Sequence, residues 1–316
     1  MLIGVGLAAA KYLNGAEVLD ALRSFNYLYA PFVLLLAAVY LGLKSWRFVL
    51  LMRPLSTVAA GPIFRGYAAG QAATLVPGGV AARAGLMRQL GIPVAVSSAP
   101  VLFSSLLDQV VFIGCSIIAA LWFEAARTPA LILVGVLAVL ALVFIVPASR
   151  RGLARGAGWL AERFKVRAGW QNFLVAVNEL ATWRVMGSTL AVTVFAFALK
   201  VITLDLCLRG VGAALPYPTL FLAYILPTML GRLSALPAGG IGVTEAGMVG
   251  FLASTSNLDP DTATAAVALF RIATVLFEAL LGALVYSFAW RGEAEPQAQP
   301  LSADDVPAQG RRAESR

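Results

Sequence analysis

Residues 236–247 read LPAGGIGVTEAG and place a glycine-rich break and one carboxylate, Glu245, inside a chain that is otherwise apolar. Helix-breaking backbone at bilayer depth is tolerated only where it is buried in protein or lines a polar cavity. An earlier stretch, residues 75–85, reads LVPGGVAARAG and repeats the order of apolar residues, a proline, two glycines, small residues and a charge. Two interrupted segments in corresponding halves of a chain indicate a transporter built by duplication.

The composition is that of an integral membrane protein. Of the 316 residues, 60% are hydrophobic and only 13% are charged, whereas a soluble domain has about 25% charged residues. The formal net charge of +8 could suggest a nucleic-acid partner, but the bases lie between apolar runs, where membrane topology explains them. We therefore expect no nucleic-acid binding.

No metal or redox chemistry is indicated by the residue types present. Histidine is absent, and the two cysteines, Cys115 and Cys207, have no neighbours at ligand spacing. The sequence therefore offers no zinc site, no histidine-based triad and no CxxC redox pair. We expect the protein to need no cofactor.

Apolar runs close to the roughly 20 residues that cross a bilayer as a helix predict six full spans. They are predicted at about 1–21, 28–52, 97–123, 129–148, 184–209 and 262–290. Two further apolar stretches, 61–92 and 217–254, are each interrupted in the middle and are predicted to form re-entrant helical hairpins. The sequence thus predicts an all-α polytopic membrane protein.

Proline and glycine residues define the two hairpin breaks. Glycine permits a tight backbone reversal, and proline ends the incoming half-helix because it lacks an amide donor. The breaks are predicted at Pro77, Gly78 and Gly79 in the first hairpin and at Pro237, Gly239, Gly240 and Gly242 in the second.

Lysine and arginine residues of short loops stay in the cytoplasm and so predict orientation. Six of them cluster between residues 149 and 183: Arg150, Arg151, Arg155, Arg163, Lys165 and Arg167. With that loop inside, both termini are cytoplasmic, the first hairpin enters from the cytoplasm and the second from outside. Five bases around the first hairpin agree with this: Lys44, Arg47, Arg53, Arg65 and Arg88. The two halves are therefore expected to form an inverted repeat.

This orientation gives a domain plan for the chain. A membrane domain is expected at 1–290, with a first repeat at about 28–148 and a second at about 184–290. Between them, 149–183 mixes bases with aromatic residues, which is typical of a helix in the headgroup layer; a lipid sensor is the alternative. Residues 291–316 are too polar to bury a core and are expected to be a disordered cytoplasmic tail.

Charged residues within the spans and hairpins are the candidate substrate-binding residues, because each costs a few kcal/mol at the bilayer centre. They are Arg83, Asp108, Arg232, Glu245, Arg271 and Glu278. The arginines could hold a lipid phosphate, and Glu245 could meet an amine or a hydroxyl or carry a proton. The alternative for each residue near a break is that it only stabilises the hairpin.

Three of the charges leave further alternatives open. Arg271 and Glu278 are seven residues apart on one predicted helix and so share a face; they could pair with each other or bind substrate. Asp108 has no base at helical spacing, so it could titrate, meet a base from a hairpin, or couple transport to protons. Asp205 and Arg209 have the i, i+4 spacing of a structural ion pair.

The run PAGGIGVTEA at 237–246, together with GQAATLVPGG at 70–79, resembles the lysylphosphatidylglycerol synthase transmembrane-domain family, also called flippase-like. The resemblance covers most of residues 1–290, and Glu245 matches the glutamate of the second motif. Many members have Gly-Glu where this chain has Ala81-Ala82, so Arg83 is the charge nearest the first break. Bifunctional members add a soluble aminoacyl-transferase domain, for which 291–316 is too short. The resemblance therefore implies a stand-alone member that translocates lipid without synthesising it.

We expect a protein of the bacterial inner membrane that moves a lipid between leaflets or toward an export route, and that is not an enzyme. Aminoacylated phospholipids, hopanoid lipids and polyprenyl-linked sugars are the cargoes that the resemblance implies. No GxxxxGK[ST] phosphate loop is present, so movement would be downhill, coupled to ions through Asp108 or Glu245, or driven by a partner. Besides the lipid, a second copy of the chain or a lipid-pathway protein is left open as partner.

Two alternative functions remain at this point. The first is an integral-membrane lipid-modifying enzyme that uses Glu245 and Asp108 as acid and base. The second is a non-transporting scaffold of a lipid pathway, which predicts that neutral substitutions of Glu245 and Arg232 do no harm.

Overall fold

A computed structural model describes residues 23, 25–75, 79–122, 135, 167–233, 242–256 and 258–290. Within these ranges all regular structure is helical, which confirms the all-α prediction. The helices are α1 (Ala30–Met52), α2 (Ala60–Gly70), α3 (Val80–Gln89), α4 (Val94–Trp122), α5 (Arg167–Leu180), α6 (Trp183–Gly210), α7 (Tyr217–Leu233), α8 (Val243–Ser256), α9 (Pro260–Arg271) and α10 (Glu278–Val285). A 3-10 turn, Tyr27–Tyr29, precedes α1, and a second, Gln71–Leu75, continues α2.

The last described helix, Pro260–Trp290, is one long helix in which α-helical and π-helical stretches alternate. It begins at α9, where Asp259 caps the first turn and Pro260 supplies a preset backbone angle at the first position. Two π-helical stretches, Ile272–Phe277 and Tyr286–Trp290, then alternate with the α-helical parts. We call Pro260–Trp290 the rod.

Four helices are long and apolar enough to cross a membrane. They are Tyr27–Met52, Val94–Ile118, Trp183–Gly210 and Pro260–Trp290. These agree with four of the six predicted spans, and the chain is a multi-pass membrane protein. The predicted span at 1–21 lies outside the described residues, as does that at 129–148 apart from residue 135, so the total of six stays a prediction.

Each predicted hairpin consists of two short helices that pack against each other, α2 with α3 and α7 with α8. The arms approach closely at glycines: a Cβ at Gly70 would lie 2.7 Å from Arg83 Cγ, and one at Gly247 would lie 2.9 Å from Pro227 Cβ. Of the break residues, Gly79 precedes α3, and Gly242 precedes α8 with a φ of +95°, which favours glycine. The other predicted break residues, Pro77, Gly78, Pro237, Gly239 and Gly240, lie outside the described residues.

The two halves pack in a reciprocal pattern. Their first helices, α1 and α6, lie against each other, and each hairpin contacts both α4 of the first half and the rod of the second. An internal repeat predicts such a pattern; the antiparallel orientation of the halves, and the domain bounds, stay predictions.

Apolar packing fixes the rod against the first hairpin. Trp290 is buried in a cluster with Phe48, Tyr67 and Met87. A Cβ at Gly66 would lie 2.7 Å from the Trp290 ring, so only a glycine lets the indole lie this close to α2. The Trp290 Nε1–H donates to Gln89 Oε1 at 2.7 Å, which ties the end of the rod to the end of α3.

The predicted interfacial segment is described only from residue 167 onward. There it forms α5, an amphipathic helix that packs against α4. Ala176 and Leu180 are buried, whereas Leu174 and Val175 are exposed. Its place in a headgroup layer stays a prediction, and residues 149–166 and the tail at 291–316 lie outside the described residues.

Candidate functional site

Four polar side chains form a continuous path from the first hairpin into the bundle. Arg83 Nη2 donates to Gln71 Oε1 at 2.5 Å, and Gln71 Nε2 donates to Glu278 Oε2 at 3.3 Å. The other carboxylate oxygen of Glu278 accepts from Lys200 Nζ. Lys200 and Glu278 are 5% and 1% exposed. We call Arg83, Gln71, Glu278 and Lys200 the interior chain.

Backbone geometry brings the interior chain together. Gln71 opens the 3-10 turn after α2, and Glu278 is the first residue of α10. One turn later on the rod, a Cβ at Gly282 would lie 2.7 Å from the Ala68 carbonyl oxygen and 2.8 Å from the Ala72 amide nitrogen. A side chain there would push two backbones apart, so glycine is what lets the rod come within hydrogen-bond distance of Gln71.

Arg83 is held in place by uncharged groups. Its guanidinium carbon lies 4.3 Å from the centroid of the Tyr67 ring, a cation–π contact with a buried residue. Its aliphatic stem lies over Gly70 in the facing arm of the hairpin. Its Nε is buried without a hydrogen-bond partner. The arginine is therefore fixed by packing and by one amide rather than by a carboxylate.

Asp108 meets two bases of α1, the first long helix. Its Oδ2 accepts from Lys44 Nζ at 2.6 Å, and its Oδ1 accepts from Arg47 Nη1 at 2.6 Å. Arg47, which is 1% exposed, also donates to Thr193 Oγ1 at 2.8 Å. Lys44 and Arg47 therefore act inside the bundle, and they no longer support the predicted orientation as cytoplasmic flanking bases.

A small, partly open cleft lies beside this ion pair. Its lining residues are Tyr40, Lys44, Asp108, Val111, Phe112, Thr193, Ala196, Phe197 and Tyr224. The Tyr40 ring lies between two ammonium groups, with its centroid 3.8 Å from Lys200 Nζ and 5.7 Å from Lys44 Nζ. The cleft therefore adjoins the interior chain through Tyr40, and both charged groups and aromatic rings line it.

The second hairpin is attached to the rod by Glu245. One of its carboxylate oxygens pairs with Arg271 Nε, and the other accepts from the Gly242 amide at 2.5 Å. Glu245 is the third residue of α8, so the latter bond is the return half of a capping box, which satisfies an otherwise unpaired amide at the helix start. Glu245 thus both caps the first turn of α8, directly after the break, and binds that turn to the rod.

Arg271 and Glu278 do not pair with each other. A π-helical stretch, Ile272–Phe277, separates them, and each i→i+5 turn takes up one residue more than an α-helical turn, about 100° of rotation. The shared face that a spacing of seven predicts is therefore lost. Arg271 contacts the second hairpin, whereas Glu278 contacts the first hairpin and α6.

The remaining candidates fall outside these contacts. The side chain of Arg232, whose backbone is in α7, lies outside the described part of the chain. The predicted pair of Asp205 and Arg209 is present, with Arg209 Nε 3.0 Å from Asp205 Oδ2 at the end of α6. Only charged residues within apolar segments were selected from the sequence, so Gln71, whose amide is uncharged, was missed. Lys200 was also given no partner.

Comparison with known proteins identifies the same family as the two glycine-rich motifs. The family model of the lysylphosphatidylglycerol synthase TM region matches residues 1–282, which confirms the resemblance. The match includes both hairpins, the cleft and the interior chain. No curated protein matches the chain.

Proposed function

We propose that this chain, which belongs to the lysylphosphatidylglycerol synthase TM region family, moves a lipid between the leaflets of a bacterial inner membrane. Family membership supports a role in lipid metabolism or transport. The proposal adds that the protein translocates the lipid without modifying it, with both termini in the cytoplasm.

One observation carries the proposal: ionised side chains connect both broken hairpins inside a bundle of apolar helices. The interior chain links the first hairpin to the rod through Glu278, and Glu245 links the second hairpin to the same rod through Arg271. Charges at bilayer depth are costly and are retained where they serve a polar substrate or ion pathway. Hairpin breaks in two halves of a chain are where such a pathway is expected.

A lipid needs a polar route for its headgroup beside an apolar surface for its tails. The cleft beside Tyr40 offers Lys44 and Asp108 to a headgroup. The outer faces of the long helices expose large apolar residues, including Leu35, Leu106 and Phe195, against which acyl chains can lie. The headgroup would move along the interior while the tails stay in the bilayer.

Acid–base chemistry receives less support from the geometry. The two carboxylates that it would need are engaged by different bases, Asp108 by Lys44 and Arg47, and Glu245 by Arg271. The cleft that Asp108 lines does not include Glu245. We therefore propose a transporter and not an enzyme.

Dithionite quenching in liposomes tests the proposal. The protein is reconstituted with fluorescent phospholipid in both leaflets, and we expect quenching beyond the outer leaflet for the wild type. Glu245→Gln should slow it, because the neutral amide loses the ion pair with Arg271. Glu179→Gln, the same change at an exposed residue of α5, is the matched control and should behave as wild type.

Two results would count against the proposal. Equal protection in wild-type and protein-free liposomes would contradict translocation of these lipids. Translocation by the wild type that Glu245→Gln leaves unchanged would remove the second hairpin from the route.

A further inference from the structure

The interior chain contains two cations and one carboxylate. Lys200 is in direct contact with Glu278, which neutralises it. Arg83 reaches only the amide oxygen of Gln71 and the ring of Tyr67, and in the described part of the chain no carboxylate pairs with it. The bridging residue, Gln71, is neutral, so the four residues together carry one surplus positive charge.

The surplus charge favours an anionic partner. Arginine cannot lose its proton in a protein, and Arg83 is partly buried, with its Nε out of contact with water and without a hydrogen-bond partner. Glu278 cannot neutralise both cations, because it already pairs with Lys200 and also accepts from Gln71. A bound anion that is not part of the protein would bring the net charge of these four residues to zero.

The guanidinium of Arg83 is positioned in advance for such an anion. The Tyr67 ring and the Gln71 amide oxygen contact it, and the aliphatic stem that bears it lies against Gly70, all without a carboxylate. A fixed guanidinium loses little entropy on binding, and it matches the oxygens of a phosphate bidentately. The arginine is therefore placed without being neutralised.

We propose that the interior chain selects lipids whose headgroup has a net negative charge, with Arg83 binding the phosphate. This inference rests on the proposed translocation and names its substrate class. A phosphodiester with an uncharged alcohol brings one negative charge and balances the interior chain. A zwitterionic headgroup brings none and leaves the surplus in place.

The test compares two labelled lipids in the same carrier liposomes. Phosphatidylglycerol is the anionic probe and phosphatidylcholine the zwitterionic probe. We expect the wild type to move phosphatidylglycerol faster, and Arg83→Gln to lower the ratio of the two rates by roughly tenfold, the effect of losing one charge-assisted hydrogen bond. Arg88→Gln, an exposed arginine of the same helix, should leave the ratio unchanged.

Each other outcome has a separate meaning. Wild-type protein that moves both probes at equal rates would overturn charge selection and leave translocation standing, whereas movement of neither probe would contradict translocation of these phospholipids and the selection proposed for them. Equal slowing of both probes by Arg83→Gln would mean that Arg83 is only structural. If Arg83→Gln does not fold, Arg83→Lys should keep the preference for phosphatidylglycerol, and its loss would overturn the inference.

A further arm separates a lipid from a soluble phosphate ester. Excess glycerol phosphate on both sides of the liposome should leave movement of phosphatidylglycerol unchanged. Inhibition confined to phosphatidylglycerol would mean that the site takes the free ester and would overturn the assignment to a lipid.

Discussion

Removing the two ends of the Lys200–Glu278 pair should have unequal effects on stability. Glu278→Gln leaves Lys200, which is buried, and Arg83, which is partly exposed, without a carboxylate. Lys200→Met leaves Glu278 with Arg83 close by through Gln71, so the charges balance. The methionine also keeps most of the apolar volume of the lysine stem.

The size of the difference follows from burial. Both side chains are almost fully buried, and breaking such a pair by removing one partner costs about 3–5 kcal/mol. We expect this full cost for Glu278→Gln. For Lys200→Met we expect about 1.5–3 kcal/mol, the value of a hydrogen bond to a charged group. The double variant has the wild-type charge surplus and should be more stable than Glu278→Gln alone.

Titration of sodium dodecyl sulfate into detergent micelles, followed by tryptophan fluorescence, gives the free energy of unfolding of each variant. Glu179→Gln provides the baseline, because an exposed substitution changes this free energy by less than about 0.5 kcal/mol. The reasoning fails if Lys200→Met costs as much as Glu278→Gln. It also fails if combining the two substitutions adds their costs.

Two further predictions concern helix packing and capping. Gly282→Ala should lower the free energy of unfolding by about 1–3 kcal/mol, because the new methyl group meets the Ala68 backbone. Thermal unfolding measures the effect against Gly42→Ala, where the new methyl group meets open space. Equal unfolding midpoints for the two variants would contradict the prediction. Asp259→Ala removes the acceptor for the Thr262 amide, 3.1 Å away, and should cost about 1 kcal/mol in the same measurement; an unchanged midpoint would show that the cap does not stabilise the rod.

Helix positions were largely predictable because apolar length determines them. The run predicted at 28–52 is the span Tyr27–Met52, and the run predicted at 184–209 is Trp183–Gly210. Proline and glycine likewise identified the two helix pairs. These features are local, so the order of residues contains the necessary information.

The pairing of the charges was not predictable, because it depends on contacts between distant segments. Lys200 and Glu278 are 78 residues apart, and Gln71 and Glu278 are 207 apart. For Asp108 the sequence left open titration, a base from a hairpin and proton coupling, and it gave no sign of the two bases that α1 supplies, Lys44 and Arg47. The shared face of Arg271 and Glu278 assumed 3.6 residues in every turn, which the π-helical stretch between them does not keep.

The rod has a mechanical consequence for the two hairpins. Near its middle, the rod is fastened to the second hairpin by the ion pair of Arg271 with Glu245 and to the first by the hydrogen bond from Gln71 to Glu278. The stretch between these two points, Ile272–Phe277, is π-helical, a rare hydrogen-bond pattern that is frequent at functional sites. Converting one such turn to α-helix would twist one fastening relative to the other by about 100°. The two contacts could not then both persist, so one hairpin would be released while the other stayed bound to the rod. A membrane transporter that never opens to both sides at once requires such coupling.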